Sequence, residues 1–572
     1  MIPAFALQLY THLFNSLYIP IVFLNLILLI SLIAINIRTI SSYFRRLNKT
    51  YTVLLIICLA LGLYLRLSMF SNSDDVNSSS WEYLHTANCL SKDYKCPGQV
   101  SSHIPISHPI GYPMAMRIFL IFSPISVEKM HAFNILCDMA AIAVLFLLVF
   151  LLINNAPIAI FSVFLYAIIP EFVLYANKGE AEAFSNLVTL LAIFFIVSSL
   201  RQNTFKAYLL AWVSVFYAME VRTETIGLLA TLFCLGFFLL RPARTNVNLA
   251  LKKWAVSFLL TVILSLPFLH FVGVADFHDK GGLGFGIQYI PKHVAHWLER
   301  YIQVFYTMPS INVMPLLFFV CSAFFFVRYH EQRKPLIFVA AWMIMHNTLY
   351  LSFFRGPGGH FVLTFAPFLI LIAAGTYFVS NSLLRVFSMK YLKNKMFLVT
   401  LLNITALLII FYHPNQITHR SYTPTSYETI TILMRQSYGE LNMSSYILVP
   451  WQTILAMQYD VGRQDFFLGY TYQPNNSKEL VIINNSSLRI PARAIQKMID
   501  DGRLYFISFW NCSAPHPDRR IETTVLTSHP DCDIISKTFR TNLVTRKGEV
   551  EVWRITGYRQ HNQTDAFQDS LR

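Results

Sequence analysis

Charge is what this 572-residue sequence has least of. Asp, Glu, Lys and Arg make up 13% of it, against about 25% in a soluble protein. That shortage excludes an ordinary water-soluble enzyme. Acid is scarcer than base, 30 residues against 45. Other absences narrow the field. No internal repeat is present, and no pairing of broken helices of the kind that marks an inverted-repeat transporter. There is no glycine-rich nucleotide-binding motif. No basic region precedes the first apolar run and no clear cleavage site follows it, so that run is read as a retained helix and not a signal peptide. Alternation in segments of about ten residues, the mark of a transmembrane barrel, is also missing.

What the chain has is hydrophobic length: 55% hydrophobic residues and a mean hydropathy of +0.49. Apolar runs of roughly 17–25 residues recur, each able to cross about 30 Å of hydrocarbon. Predicted spans are 17–37, 51–70, 131–152, 156–175, 181–200, 207–221, 224–240, 254–273, 311–328, 335–353, 361–381 and 396–412. This is an all-α polytopic membrane domain of about twelve crossings. The net charge of +15 is explained by location and implies no nucleic-acid partner. Arg38, Arg45, Arg46 and Lys49 share one short loop, Arg201 and Lys206 a second, and Arg241, Arg244, Lys252 and Lys253 a third. Arg328, Arg333 and Lys334 form a fourth cluster, Arg385, Lys390, Lys393 and Lys395 a fifth, and Glu331 is the one acid among them. Clustered base in short loops marks the cytoplasmic side. The N-terminus, the loop 71–130 and everything past 412 then lie outside. The assignment turns on 207–221 and 224–240: one interrupted helix there would invert all later loops, and the charge pattern favours two.

Residues 413–572 change character. Charge rises, and β-rich runs (446–449, 480–483, 504–507, 550–555) alternate with helical patterns near 425–438 and 490–501. The division is therefore 1–412, a multi-pass domain whose outside loop 71–130 is the candidate catalytic segment, and 413–572, an extracytoplasmic α/β domain. Cys89 and Cys96 in the first outside loop, and Cys512 and Cys532 in the tail, are disulfide candidates in an oxidising compartment. Cys58, Cys137, Cys234 and Cys321 sit in apolar runs and read as small core residues.

The candidate site residues gather at the outside ends of the spans. Asp74 and Asp75 directly follow an apolar segment. Such acids are common turn residues, but a carboxylate partly screened from water at a membrane surface also suits a general base or a divalent-cation ligand. Asp74, Asp75, His103 and His108 are the residues that would hold a metal, if any does. His108 to Pro113 reads chiefly as a turn fixed by Pro109 and Pro113. Asp138, Lys178, Glu180, Glu182, Glu220, Arg222, Glu224, His278, Asp279, Lys280, Lys292, His293, His296, Arg355 and His360 fall at helix ends. Each alone reads as a solvated or snorkelling cap; together on one side they mark a site or pathway. Arg222 and Arg355 are the best phosphate ligands, because a guanidinium grips phosphate through two bonds.

The order of these features resembles one family. An acidic pair after a helix is followed by Trp81-x-Tyr83-x-x-x-Ala87 and His108-Pro109-x-Gly111-Tyr112-Pro113. Then come the acidic helix start at Glu180 and Glu182, Val221-Arg222-Thr223-Glu224, and His360-Phe361-x-Leu363-x-x-x-Pro367-Phe368-Leu369. The whole is similar to the GT-C superfamily of integral membrane glycosyltransferases, with the dolichyl-phosphate-mannose protein mannosyltransferases and the bacterial aminoarabinose transferases as the relatives it most resembles. The sequence departs from that pattern in four ways. Tyr83 lies further from the acids than usual, His360-Phe361 stands where the family has Arg-Tyr, an extra N-terminal helix comes first, and there is no Trp-Trp-Asp motif of an oligosaccharyltransferase.

The resemblance implies an inverting transfer of a sugar from a polyprenyl-phosphate donor to a hydroxyl on a lipid, glycan or protein acceptor, at the extracytoplasmic face of the cell's inner membrane or of the endoplasmic reticulum. Asp74 or Asp75 would be catalytic. His108, Tyr112, Lys178, Glu180, Glu182, Arg222, Glu224, Arg355 and His360 would bind substrate. The resemblance fixes no cofactor, a divalent metal is open, and membrane lipids surround the chain. A transporter or lipid-linked sugar flippase is the alternative.

Overall fold

The computed structural model describes residues 4–38, 41–42, 47–70, 83–84, 86–87, 90, 109–120, 125–242, 246–274, 289–291, 293–294, 313–352, 363–386, 446–450, 467–472, 480–483, 491–508, 535, 538–547 and 550–558. They fall into two compact units, one helical and one built on a sheet. Asp74, Asp75, His103, His108, Arg355, His360, the disulfide candidates Cys89, Cys96, Cys512 and Cys532, and the predicted span 396–412 all lie outside the described residues.

The helical unit comprises α1 (Ala4–Ile35), α2 (Lys49–Phe70), α3 (Gly111–Phe119), α4 (Val127–Ile153), α5 (Ala156–Ile168), α6 (Pro170–Ala176), α7 (Glu182–Gln202), α8 (Phe205–Val221), α9 (Thr225–Leu239), α10 (Val247–Val274), α11 (Val313–Arg328), α12 (Arg333–Leu351) and α13 (Phe365–Val386). Five described helices are long and apolar enough to cross a membrane: Lys49–Phe70, Val127–Ile153, Glu182–Gln202, Val247–Leu266 and Phe365–Ser382. Shorter apolar helices include Ile19–Ile35, Ala156–Ile168, Thr225–Leu239 and Phe319–Arg328. This is a multi-pass membrane protein.

Side-chain caps set several boundaries. Ser126, Asn155 and Thr204 accept from the backbone N–H groups of Lys129, Ile158 and Ala207, filling donors that a helix start leaves open. Asn154 and Asn203 end α4 and α7 at φ 53° and 51°, the left-handed conformation that asparagine tolerates. Two elements differ from the sequence reading. The run 156–175 is broken at Ile169, which is extended (φ −64°, ψ 123°) ahead of Pro170, because proline crowds a preceding helical residue. And His108 to Pro113 is more than a turn: α3 starts at Gly111, with Pro113 in its first turn, where the missing N–H costs nothing.

The doubtful pair is two helices. The ring of Tyr208, near the start of α8, stacks on that of Phe233, late in α9, at 6.2 Å, and Trp212 lies 4.8 Å from the same ring. That is the pairing of an antiparallel hairpin turned at 222–224. Within the unit α4 packs on α5 and α7, α7 on α8 and α9, and α1 on α8 and α10. The 18-residue apolar window is 67% buried in α4 and 89% in α7, but 22% in α10, so α4 and α7 form the core and α10 is peripheral. Of the cysteines read as core residues, Cys58 and Cys137 are buried. Cys234 is exposed and Cys321 half-exposed, because they stand on faces that no described helix covers.

The second unit holds β1 (Tyr446–Pro450), β2 (Phe467–Tyr472), β3 (Leu480–Ile483), α14 (Ala492–Asp500), β4 (Leu504–Ser508), β5 (Phe539–Lys547) and β6 (Val550–Tyr558). The strands make one sheet in the order β3-β2-β1-β4-β6-β5. β1 is parallel to β2 and β4, and the outer pairs are antiparallel. Leu448, Leu504, Phe506 and Ile555 pack with Ile495 and Ile499 of α14. Gly502 closes that helix at φ 66°, a conformation glycine adopts without a steric penalty. Tyr83 and Leu84 cluster with this unit. β2 and β5 were not expected from the sequence.

Candidate functional site

The polar residues of the helical unit converge where α2 and α8 end and α3, α4 and α7 begin. Three side chains of α4 organise the place. His131, Asn134 and Asp138 are all buried, and spacings of three and four residues put them on one face of the helix.

Asp138 is the deepest. Arg66, fully buried in α2, directs Nε and Nη2 to Asp138 Oδ2, each at 2.5 Å. Arg66 Nη1 donates to the carbonyl oxygens of Gly62 at 2.9 Å and Ala167 at 3.1 Å. The Tyr166 hydroxyl donates to Asp138 Oδ1 at 2.6 Å and accepts from Asn186 Nδ2 at 2.5 Å. Four helices, α2, α4, α5 and α7, are thus tied by one network. A buried ion pair is tolerated only when the remaining polar atoms are also bonded, and here most of them are. Asn177 completes the tie by donating to the Arg66 carbonyl oxygen at 3.1 Å.

Asn134, one turn nearer the helix start, holds the segment 177–181. Its Nδ2 donates to the carbonyl oxygens of Lys178 at 2.6 Å and Glu180 at 2.9 Å, and its Oδ1 accepts from the Tyr112 hydroxyl at 3.0 Å. The Tyr112 ring is fully buried between Phe133 and Phe184. Tyr217 donates to the Gly111 carbonyl oxygen at 3.0 Å. A Cβ at Gly111 would lie 2.5 Å from the Glu220 carbonyl oxygen, so only glycine lets α3 meet α8 so closely.

Above this frame stands the ionised cluster. Arg222 pairs with Glu182, and its Nη1 lies 3.6 Å from Glu224 Oε1. Tyr350, at the end of α12, stands within electrostatic reach of Glu224, Arg222 and Glu182. Lys178 Nζ sits 4.9 Å over the Tyr175 ring. Burial, and then the neighbouring Glu182 carboxylate, push Glu180 up to about 8, so it holds a proton at neutral pH. Among the described residues no group of three or more His, Cys, Asp or Glu side chains is placed to hold a metal ion.

Of the residues singled out from the sequence, the structure brings together Tyr112, Lys178, Glu180, Glu182, Arg222 and Glu224. Asp138 and Glu220, read as helix-end caps, are instead 2% and 0% exposed, because each is enclosed by neighbouring helices. Asn25, Arg66, Asn134, Tyr166, Asn177, Asn186, Tyr217 and Tyr350 went unnoticed. For Arg66 a signal existed: an ionisable residue inside an apolar span needs a partner. The uncharged residues carry no comparable mark.

The long apolar helices and the polar frame buried among them define a multi-pass membrane protein. Residues 107–271 match the model of the dolichyl-phosphate-mannose-protein mannosyltransferase family. No curated protein matches the sequence. Among solved structures, the chain is similar to the oligosaccharyltransferase of Archaeoglobus fulgidus tethered to an acceptor peptide, at 12% identity and a TM-score of 0.53, over 91% of this chain and 74% of that one. It is similar also to ArnT of Cupriavidus metallidurans in the apo state, at 12% identity and a TM-score of 0.56, over 88% of this chain and 98% of that one. The same ArnT bound to undecaprenyl phosphate aligns with 10% identity and a TM-score of 0.51, again over 88% and 98%. At these identities the likeness is one of fold.

Proposed function

We propose that the chain is an integral membrane glycosyltransferase that moves a sugar from a polyprenyl-phosphate donor to an acceptor hydroxyl, with inversion. The observation that carries this reading is the gathering of Lys178, Glu180, Glu182, Arg222, Glu224 and Tyr350 at one end of a bundle that shares its fold with such enzymes. The family match over 107–271 covers most of the frame beneath them. The basic residues Arg201, Lys206, Arg241, Lys253, Arg328 and Arg333 fall at the opposite helix ends, and the positive-inside rule puts those ends in the cytoplasm. The reacting end is then extracytoplasmic.

Asp74 or Asp75 takes the proton from the acceptor hydroxyl. That oxygen forms the new bond to the anomeric carbon as the bond from this carbon to the phosphate oxygen breaks on the opposite face. The lipid phosphate leaves with the electron pair. Arg222, oriented by Glu182 and Glu224, or else Lys178 or Arg355, receives this developing charge. Arginine suits the task because it presents five donors in a fixed fork. In the same reading His108 and His360 bind substrate, and Tyr112 and Gly111 hold α3 against the frame.

Mass spectrometry of the lipid that co-purifies with the protein tests the donor class. A bound polyprenyl phosphate is expected, at lower occupancy in Arg222→Ala. If no polyprenyl lipid is bound and added polyprenyl phosphate leaves the thermal midpoint unchanged, the reading fails.

A further inference from the structure

Among the described side chains, the first helix makes one buried polar contact that the frame above does not use. Asn25 of α1 is 2% exposed and Glu220 of α8 is 0% exposed. They lie 195 residues apart in sequence, and Asn25 Nδ2 donates to Glu220 Oε1 at 2.5 Å. The other described side chains of α1 that are buried, Val22, Leu26, Leu29 and Leu32, are all apolar. Inside a membrane an apolar face gives a helix little reason to prefer one height over another, since lipid is as apolar as leucine. A polar pair between helices supplies that preference.

Glu220 is where such a contact matters. Its backbone carbonyl is the atom against which Gly111 is packed. One turn earlier Tyr217 bonds the Gly111 carbonyl oxygen. Two residues later Arg222 pairs with Glu182 of α7. The end of α8 therefore meets α1 through the Glu220 side chain, α3 through the Glu220 backbone, and α7 through Arg222. α1 lies outside the stretch that matches the mannosyltransferase family, whereas Glu220 lies within it.

We propose that Asn25 and Glu220 are positioning residues: through this one buried pair, α1 fixes the height of the α8 terminus and so places Arg222 and the Gly111 turn. The kinetic half of the inference rests on the glycosyltransferase reading. The structural half does not.

The test compares Asn25→Leu, Glu220→Gln and the double variant Asn25→Leu/Glu220→Leu with the wild type, as full-length protein in detergent. Deuterium uptake is followed in peptides covering 107–119 and 216–226. Faster uptake there, with α4 and α7 unchanged, is expected for Asn25→Leu. Wild-type uptake is expected for Glu220→Gln, which keeps the accepting Oε1. If Asn25→Leu does not fold, the double variant replaces it, because an apolar pair leaves no buried group unbonded. In transfer assays kcat should fall roughly ten- to a hundredfold, while the donor KM moves less than about twofold and Glu220→Gln retains activity. Unchanged uptake in both peptides overturns the inference, as does an unchanged kcat in a folded leucine variant. If the wild type moves no sugar, the uptake result alone decides, and it is the enzymatic reading that has failed.

Discussion

The two ends of the helical unit handle buried polarity differently. Toward the basic end, buried hydroxyls bond within their own helix: Ser162 to the Ile158 carbonyl oxygen at 2.9 Å, Ser199 to Ile196 at 2.7 Å, Ser214 to Leu210 at 2.6 Å. Such bonds satisfy the group but tie nothing together. Lys253, whose Nζ reaches the Asn203 carbonyl oxygen at 2.8 Å, is a rim contact that caps α7. At the other end the bonds cross between helices and span the sequence: Arg66 to Asp138, Tyr112 to Asn134, Asn134 to Lys178 and Glu180, Asn25 to Glu220. Among the described residues the bonds that cross between helices at the basic end lie at the rim, Lys253 to Asn203 and Asn381 to Tyr329, while the other end is wired together through its buried interior. An arrangement that must be held to a fraction of an ångström is what a reacting site requires.

The contrast can be broken by mutation. The largest effect is expected at Arg66→Leu, which leaves the buried Asp138 carboxylate without its cation. Loss of one member of a buried ion pair costs about 3–5 kcal/mol, so a steep drop in the detergent thermal midpoint should follow, with partial recovery in Arg66→Met/Asp138→Leu. A midpoint within a degree of wild type would show that the network holds nothing. Asn134→Leu comes next. It removes the bonds to two carbonyl oxygens and to the Tyr112 hydroxyl, and a buried polar group that loses its bond costs about 1–3 kcal/mol. Donor use should fall more than stability does; the ratio of kcat/KM to melting shift decides. At the other end Ser214→Ala should change stability by about 0.5 kcal/mol or less, and a larger loss would erase the contrast.

The ionised cluster has its own pH signature. Glu180 holds its proton up to about 8 in the folded chain, against 4.5 for an ordinary glutamate. Between those values the unfolded chain binds fewer protons than the folded one. Stability contributed by this group is therefore present below 4.5 and lost as pH rises toward 8. Melting curves of wild type and Glu180→Gln should diverge over that window, with the wild type falling more steeply. Parallel curves would mean that Glu180 is already ionised.

Apolar runs made the helices readable, because a span needs only length and hydrophobicity. The charge pattern also favoured two helices at 207–221 and 224–240, where the structure has an α8–α9 hairpin. What the sequence hid was the frame. Asn134, Tyr166 and Asn186 are uncharged residues in apolar surroundings, and their meaning comes from partners 20 to 46 positions away. α3 escaped notice because two prolines and a glycine in six residues read as a turn. The break at Ile169 was legible in Pro170 and passed over inside a continuous apolar run. Glu182, Arg222 and Glu224 were visible as charges at helix ends, but their pairing depends on how α7 and α8 pack.

The proposed reaction is sugar transfer from a polyprenyl phosphate. The direct measurement is turnover by purified protein in liposomes, with a labelled polyprenyl-phosphate sugar and no ion or proton gradient. The prediction is a glycosylated acceptor and free polyprenyl phosphate in equal amounts, with a loss of roughly 10²–10⁴ in rate in whichever of Asp74→Asn and Asp75→Asn removes the base. Full activity in both variants would contradict the proposed chemistry, and passage of the intact sugar-lipid across the bilayer without cleavage would contradict the enzyme itself.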